Sequence, residues 1–315
     1  MKLKIPPPLK EDIFEIEYIQ SRAGILNRGL KSMLLRLITS SGSHLFLRGR
    51  DLISVGPMIS GVHEPGIKSL IDTLAGGCYG DFLLDVGANI GLISCQSGNL
   101  FKTVHMFEPN PLCCKVLEVN SIIALEAGRY HIHQYGLGEN AGRVSLTIPK
   151  HNWAGAFVRD DVNSYSDKLL ADKDGYKEIN PDNYFDVEID IQEAHSTFKK
   201  IFSELTESNL NQGVIKIDVE GYEPTILHGI ASSIPKDVKA VVIFESWDPN
   251  FAVESILDKF KGRAVAYKYK FISPWNPRWP RFFKALSTLF PKKISYKVSL
   301  NPSGDWAGDI IFVIN

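Results

Sequence analysis

The stretch FLLDVGANIG, residues 82–91, decides the fold of this chain. Its first five residues form an apolar run as long as a buried strand, and the glycines that follow favour a tight turn into a helix. Further apolar runs occur at TVHMFE (103–108), VIKIDV (214–219), AVVIFE (240–245) and GDIIFVI (308–314). Helical patterns separate these runs, and strands that alternate with helices predict a mostly parallel sheet with helices on both faces.

The glycine turn predicts the kind of ligand that the sheet binds. A nicotinamide-dinucleotide fingerprint needs glycines where this chain has Asp85, Gly87 and Ile90, so two of its three positions fail. A pyrophosphate prefers backbone amides without a nearby anion, whereas Asp85 suits a cationic ligand such as S-adenosylmethionine, which has no phosphate. Glu108 ends the second strand and can accept hydrogen bonds from both ribose hydroxyls. A purely structural turn, with Glu108 capping a helix, leaves Asp85 without a role.

The chain resembles the FkbM family of S-adenosylmethionine-dependent methyltransferases over roughly residues 60–250. The matching stretches are HEPGIKSLIDTL, FLLDVGANIGLIS, HMFEPNP, VIKIDVEGYEPTILHGI and VVIFES. The resemblance implies the class I methyltransferase fold, a Rossmann-like α/β fold whose seven-stranded sheet has one antiparallel strand. It also implies O-methylation, typically of sugar or polyketide hydroxyls. We expect the cofactor contacts at Asp85, Gly87, Ala88, Asn89, Gly91, Glu108, Pro109 and Asn110.

Acidic residues follow the strand of VIKIDV, where ligands bind in open α/β sheets. Asp218 is the first candidate for the general base or for orienting the acceptor hydroxyl, and Glu220 is the second. Glu220 is equally consistent with a carboxylate that stabilises a helix N-terminus. Lys216 fits a partner that neutralises these acids, and Glu245 is placed to line the same crevice. Asp218 with Glu245 could hold Mg²⁺, but we expect no metal.

Residues 150–185 are polar and lack a clear period, which predicts an irregular insertion. Long loops in compact domains are often functional. His151 and Trp153 lie in this segment, and an aromatic face can stack on a sugar ring, so they are candidates for holding the acceptor. A plain surface loop is the alternative.

Residues 259–304 form a basic, aromatic insertion before the last strand, without any Asp or Glu. Its basic residues are Lys259, Lys261, Arg263, Lys268, Lys270, Arg278, Arg281, Lys284, Lys292, Lys293 and Lys297. Basic amphipathic segments with aromatic residues are typical of contact with anionic membranes. The alternatives are contact with a charged acceptor and a helix packed by its aromatic residues, with a solvated basic rim.

The remaining sequence predicts two parts, an N-terminal helical extension (1–60) and a methyltransferase domain (61–315). An apolar helix face in the extension favours a packing helix or a substrate lid, and it consists of Leu26, Leu30, Met33, Leu34 and Leu37. A net charge of −1 argues against a nucleic-acid partner. The start of the chain lacks a signal-peptide pattern, and the four cysteines include no CxxC pair, so we expect a cytoplasmic protein, peripheral at most to the inner membrane face.

These observations predict an enzyme that methylates a hydroxyl, with S-adenosylhomocysteine as the product. The expected acceptor is a sugar in a polysaccharide or its precursor, which rests on family analogy. Two alternatives are a natural-product or lipid acceptor and a non-catalytic cofactor-binding module of a glycan-synthesis complex.

Overall fold

The computed structural model describes residues 29–30, 32–34, 44–49, 51–163, 165–173, 175–176, 178–247, 251–272, 295–301 and 306–315. Its internal contacts divide the chain into a unit of residues 1–41 and a larger unit of residues 42–315. The larger unit therefore includes residues 42–60, which we had assigned to the N-terminal extension. The domain boundary at residue 60 stays a prediction.

The described part of the first unit is helical. Leu30, Met33 and Leu34 lie in it with exposed side chains. Leu26 and Leu37, which belong to the same predicted apolar face, lie outside the described residues.

The larger unit contains two β-sheets. The strands are β1 (Phe82–Val86), β2 (Thr103–Phe107), β3 (Tyr130–His133), β4 (Gly136–Gly138), β5 (Gly142–Pro149), β6 (Phe157–Val158), β7 (Tyr184–Glu193), β8 (Gln212–Ile217), β9 (Lys239–Ser246), β10 (Ala264–Ile272), β11 (Ser295–Ser299) and β12 (Gly308–Ile314). Eight of them form the main sheet in the order β11-β10-β12-β9-β8-β1-β2-β3. Strands β3, β2, β1, β8 and β9 are mutually parallel, and β12 runs antiparallel between β9 and β10.

Helices cover both faces of the main sheet, as the sequence predicts. The described helices of the larger unit are α1 (Leu52–Ser60), α2 (Pro65–Gly76), α3 (Leu92–Ser97), α4 (Pro111–Ala124), α5 (Asp167–Lys173), α6 (Ala194–Glu207), α7 (Glu223–Ser233) and α8 (Val253–Lys259). Side chains alternate along β1 because successive residues of a strand point to opposite faces. Phe82 and Leu84 pack against α6, α7 and α8, whereas Leu83 packs against α2, α3 and α4.

The expected α/β class is confirmed, but the strand count is corrected from seven to eight. The additional strand, β11, pairs with the outer edge of β10 and is antiparallel to it. Two strands, β11 and β12, therefore run against the parallel set instead of one.

A second sheet lies over one end of the main sheet, with the strand order β4-β7-β5-β6. Leu146, Ile189 and Ile191 form the apolar cluster on one of its faces. The insertion expected at residues 150–185 is less irregular than its composition suggests, because it contains β6, α5 and a turn of 3₁₀-helix at Trp153–Gly155.

The basic segment 259–304 is only partly an insertion, because β10 and β11 of the main sheet lie within it. Lys268 is buried and donates a hydrogen bond to the carbonyl of Ala307, and Arg263 binds the carbonyl oxygen of Val238 at 2.8 Å. These two basic residues are thus structural. Residues 273–294 lie outside the described part of the chain, so the predicted membrane contact stays a prediction. In the described residues, the helices are too short or too polar to cross a membrane.

Candidate active site

A cavity of about 270 Å³ lies where the carboxyl ends of β1, β2, β8 and β9 meet the second sheet. Strand β1 has β2 on one side and β8 on the other, so the strand order reverses here. Ligands of open α/β sheets bind at such a switch point. The residues predicted for the site that line this cavity are Gly87, Asn89, Glu108, Pro109, Trp153, Asp218, Glu220 and Glu245.

The turn after β1 requires glycine at two positions because of its backbone conformation. Gly87 and Gly91 have φ of 86° and 83°, in the left-handed region that favours glycine. A Cβ on Gly87 would lie 1.9 Å from the carbonyl oxygen of Asp218. The N–H groups of Gly87 and Ala88 both donate to the carbonyl of Phe107, at 3.0 and 2.9 Å. The turn is therefore fixed against the ends of β8 and β2.

Glu108 joins the two turns that follow β1 and β2. Its Oε2 accepts the N–H of Asn89 at 2.7 Å, and its Oε1 accepts the N–H of Asn110 at 2.8 Å. Burial raises the pKa of the Glu108 carboxyl to about 7, although the two N–H donors oppose the shift. Each oxygen still has a second lone pair, so Glu108 can accept further hydrogen bonds from a ligand.

Asp85 lies beneath the turn and not in the cavity wall. It is 1% exposed, and its Oδ2 accepts a hydrogen bond from Ser94 on α3 at 2.5 Å. The adjacent position on β8 is Lys216. Burial raises the pKa of the Asp85 carboxyl, while Lys216 and Ser94 oppose that shift. The predicted contacts Ala88, Gly91 and Asn110 are also buried outside the cavity lining.

Lys216 and Asp218 form an ion pair at the end of β8. The buried Lys216 Nζ lies 2.6 Å from Asp218 Oδ2, while the Asp218 side chain is 46% exposed toward the cavity. Burial favours neutral side chains, but the ammonium of Lys216 prevails and holds the pKa of Asp218 below its ordinary value. Asp218, Glu64 and Asp85 in turn raise the pKa of Lys216 against its burial. Asp218 is thus a stable carboxylate and a weak proton acceptor.

Glu220 also lines the cavity, but an ion pair holds its side chain. Lys173 of α5 donates to Glu220 Oε2, and its Nζ lies 4.7 Å from the centre of the Trp247 ring. Glu245 lies in the same wall, and burial followed by the nearby Asp218 charge raises the pKa of its carboxyl.

Of the two aromatic candidates for acceptor binding, one lines the cavity and the other does not. Trp153 lines the cavity, and the guanidinium of Arg48 lies 3.9 Å from the centre of its ring. His151 lies outside the cavity lining, with its Nδ1 2.9 Å from the hydroxyl of Tyr176.

His63 and Glu64 are among the residues of the cavity wall that the sequence does not predict. They directly precede Pro65, which begins α2. Their stretch does belong to the resemblance, so its place before a helix at the sheet's ligand-binding edge is the signal that could have found them.

The described residues contain no group of three or more His, Cys, Asp or Glu side chains placed to hold a metal ion.

Comparison with known proteins identifies the family. The methyltransferase FkbM domain matches residues 85–269 of the chain. The chain belongs to the FkbM methyltransferase family. This finding confirms the resemblance, and the protein has the class I methyltransferase fold.

Other proteins are similar at a greater distance. Methyltransferase sdnD of Sordaria araneosa is 26% identical over 180 residues, which are 54% of this chain and 67% of that protein. A SAM-dependent methyltransferase from Agrobacterium tumefaciens is 8% identical with a TM-score of 0.39, over 84% of this chain and 66% of its own. A precorrin-6y C5,15-methyltransferase from Geobacter metallireducens is 9% identical with a TM-score of 0.38, over 79% and 87%. The two structural likenesses carry no argument at these TM-scores.

The FkbM-family turn yields a test that needs no ligand. Gly87→Ala is expected to lower the free energy of unfolding by at least about 2 kcal/mol, because a side chain at positive φ costs about 1–2 kcal/mol and the new Cβ collides with Asp218. Chemical denaturation measures the change. Gly142→Ala is the control, since Gly142 has no positive φ and open space around its Cβ position, and it should change stability by less than about 0.5 kcal/mol. Equal stabilities of the two variants would contradict the close approach.

Proposed function

We propose that this protein is an S-adenosylmethionine-dependent O-methyltransferase whose acceptor is a hydroxyl of a sugar in a glycan or its precursor. The observation that carries the proposal is Glu108, a buried carboxylate with hydrogen-bonding capacity left on both oxygens. It stands between the two turns at the switch point of the sheet, where an acid of a doubly wound fold receives ribose hydroxyls.

The charge of the cavity supports this cofactor. Its described lining includes five acids, Glu64, Glu108, Asp218, Glu220 and Glu245, and one lysine, Lys173. A phosphate-bearing cofactor would face these carboxylates, whereas a ligand with an ammonium and a sulfonium is attracted by them. The close approach of Gly87 to Asp218 leaves the turn without a side chain beside this wall. The residues present therefore fit S-adenosylmethionine.

The chemistry that the cofactor supplies is a methyl group activated by a sulfonium. Methyl transfer forms a C–O bond as the C–S bond breaks, and the hydroxyl proton must leave. Asp218 suits the task of orienting the hydroxyl, since Lys216 keeps it ionised and able to accept a hydrogen bond. Glu220 is held by Lys173 and is the second candidate. Lys216 serves as the partner of Asp218, because its ammonium stays charged.

The acceptor proposal rests on two features of the same cavity. An anionic acceptor is disfavoured by the carboxylates that face it, whereas a neutral hydroxyl compound is not. Trp153 and Tyr222 present aromatic side chains to the cavity, and sugars stack on such faces.

One observation favours a second candidate, an acceptor with an apolar body such as a natural product or a lipid. Leu146, Ile189 and Ile191 of the second sheet line the cavity and form an apolar wall. Burial of apolar acceptor surface against this wall would contribute about 25 cal/mol per Å².

The cofactor proposal predicts a pH-dependent affinity for S-adenosylhomocysteine. Ribose hydroxyls donate to the ionised form of Glu108, whose pKa is about 7, so binding at lower pH must release a proton. The affinity should rise between pH 6 and pH 8, with a slope approaching about tenfold per pH unit below the pKa. Glu108→Gln should weaken binding at least about tenfold and abolish the slope.

Isothermal titration calorimetry measures this affinity. Glu188→Gln, at an exposed position of β7, is the control and should behave as the wild type does. An absence of wild-type binding would refute the cofactor proposal, and binding with a flat pH profile would exclude Glu108 as the ribose acceptor.

The acceptor proposal predicts methyl transfer to neutral glycosides and none to sugar phosphates. Transfer of a tritiated methyl group from S-adenosylmethionine to a panel of methyl glycosides measures it. Asp218→Asn should reduce kcat by about 10²-fold with a much smaller loss of affinity for S-adenosylhomocysteine, and Asp258→Asn, at an exposed position of α8, should change neither. Transfer to sugar phosphates instead would contradict the argument from the cavity's charge.

A further inference from the structure

His63 and Glu64 line the cavity, but neither has a role in the function proposed above. Both line the cavity that contains Asp218, and the His63 side chain is 15% exposed. The Glu64 carboxylate Oε2 lies 3.9 Å from His63 Nε2. An imidazole, a carboxylate beside it and the Asp218 carboxylate therefore share one wall.

The backbone around His63 is tied to the helix that follows the glycine turn. Helix α1 ends at Ser60, and the residue that caps it, Gly61, has a φ of 75° that turns the chain out of the helix. The N–H of His63 donates to Gln96 Oε1, and Gln96 Nε2 donates to the carbonyl of Gly61, both at 3.2 Å. Because Gln96 lies on α3, the backbone of His63 is fixed relative to the helix that follows the turn at residues 87–91.

Glu64 has an unfavourable backbone conformation that the surrounding structure maintains. Its φ is 39°, although it is not a glycine, and its side chain makes no capping hydrogen bond to α2. The first turn of α2, which follows Glu64, is fixed by two tyrosines. Tyr269 Oη donates to the carbonyl of Gly66 at 2.8 Å. The Tyr296 ring packs so closely that a Cβ on Gly66 would lie 2.3 Å from it. Residues with strained backbone conformations concentrate at functional sites. The strained backbone of Glu64 is therefore consistent with a functional position for its side chain.

The charges around His63 favour its neutral form. Burial lowers the pKa of His63, and Lys216 acts in the same direction, whereas Glu64 and Asp218 oppose the shift. Asp218 is a weak proton acceptor because Lys216 holds its pKa down. Farther along the same edge, Glu245 and Asp309 are the other acids near Glu64. His63 thus brings a neutral imidazole to the cavity, with a ring nitrogen free of charge to accept a proton and with Glu64 and Asp218 close enough to favour the imidazolium that forms.

We propose that His63 is the general base that removes the proton of the acceptor hydroxyl, while Asp218 orients that hydroxyl and Glu64 stabilises the imidazolium. The hydroxyl oxygen forms the C–O bond, the C–S electron pair returns to sulfur, and the proton passes to a ring nitrogen of His63. This assignment rests on the proposed O-methyltransferase function. Glu64 acts through His63 and is a positioning residue.

Two reactions at the same site distinguish a general base from a residue that only maintains the structure of the site. Transfer from S-adenosylmethionine to methyl glycosides, with ethylene glycol as a second hydroxyl probe, requires removal of a proton. Methyl transfer from methyl iodide to S-adenosylhomocysteine releases iodide and requires alignment but no base. Mass spectrometry of S-adenosylhomocysteine and S-adenosylmethionine follows both reactions.

His63→Gln should slow the hydroxyl reaction about 10²–10⁴-fold and leave the methyl iodide reaction unchanged. At saturating S-adenosylmethionine, where the titration of Glu108 no longer limits binding, the acid limb of the wild-type kcat profile should disappear with it. His195→Gln, at a half-buried position of α6 outside the cavity lining, should leave both reactions intact. Glu64→Gln should slow the hydroxyl reaction and leave the methyl iodide reaction unchanged, because the amide carries no charge to stabilise the imidazolium.

Four results would overturn the assignment. A His63→Gln variant that methylates hydroxyls at the wild-type rate, or one that loses both reactions equally, excludes the base role. A wild-type enzyme that runs the methyl iodide reaction but methylates no hydroxyl probe refutes the hydroxyl acceptor and the base together. Failure of both wild-type reactions, with no binding of S-adenosylhomocysteine, refutes the proposed function itself.

Discussion

The buried ammonium of Lys216 is the interaction on which the site depends. It lies on β8 beside Asp85 of β1, binds Asp218 at 2.6 Å, and is also stabilised by Glu64. Removing one partner of a buried ion pair is strongly destabilising, because the remaining charge has lost its hydration. One cation thus compensates acids from β1, from the end of β8 and from the start of α2, and it holds these three elements at one edge of the sheet.

The glycine turn and Glu108 complete that edge by backbone contacts. Gly87 brings the turn against Asp218, and Glu108 binds the N–H groups of both turns that follow β1 and β2. The second sheet adds an apolar wall through Ile189 and Ile191. The cavity therefore has a charged floor and an apolar wall, which suits a cationic cofactor beside a neutral acceptor.

Much of the fold could be predicted because its central strands are short, buried apolar runs; β12, for example, coincides with the predicted stretch GDIIFVI. Strand β7 was missed because its outer face carries Asp186, Glu188 and Asp190, so it resembles a polar loop, and its partner β5 lies some forty residues earlier. Strands β10 and β11 were obscured by the basic residues around them. The site was less accessible to sequence reasoning. Asp85 points toward α3 because of the alternation along β1, and only the fold brings His63 to the cavity that Asp218 lines.

The central claim is that the edge between Glu108 and Asp218 holds S-adenosylmethionine with the acceptor beside it. A crystal structure of the protein with S-adenosylhomocysteine tests it most directly. The account predicts that both ribose hydroxyls lie within hydrogen-bonding distance of Glu108 and that the thioether sulfur lies on the side of Asp218 and His63. A nucleoside bound elsewhere, or a ribose turned away from Glu108, would contradict it.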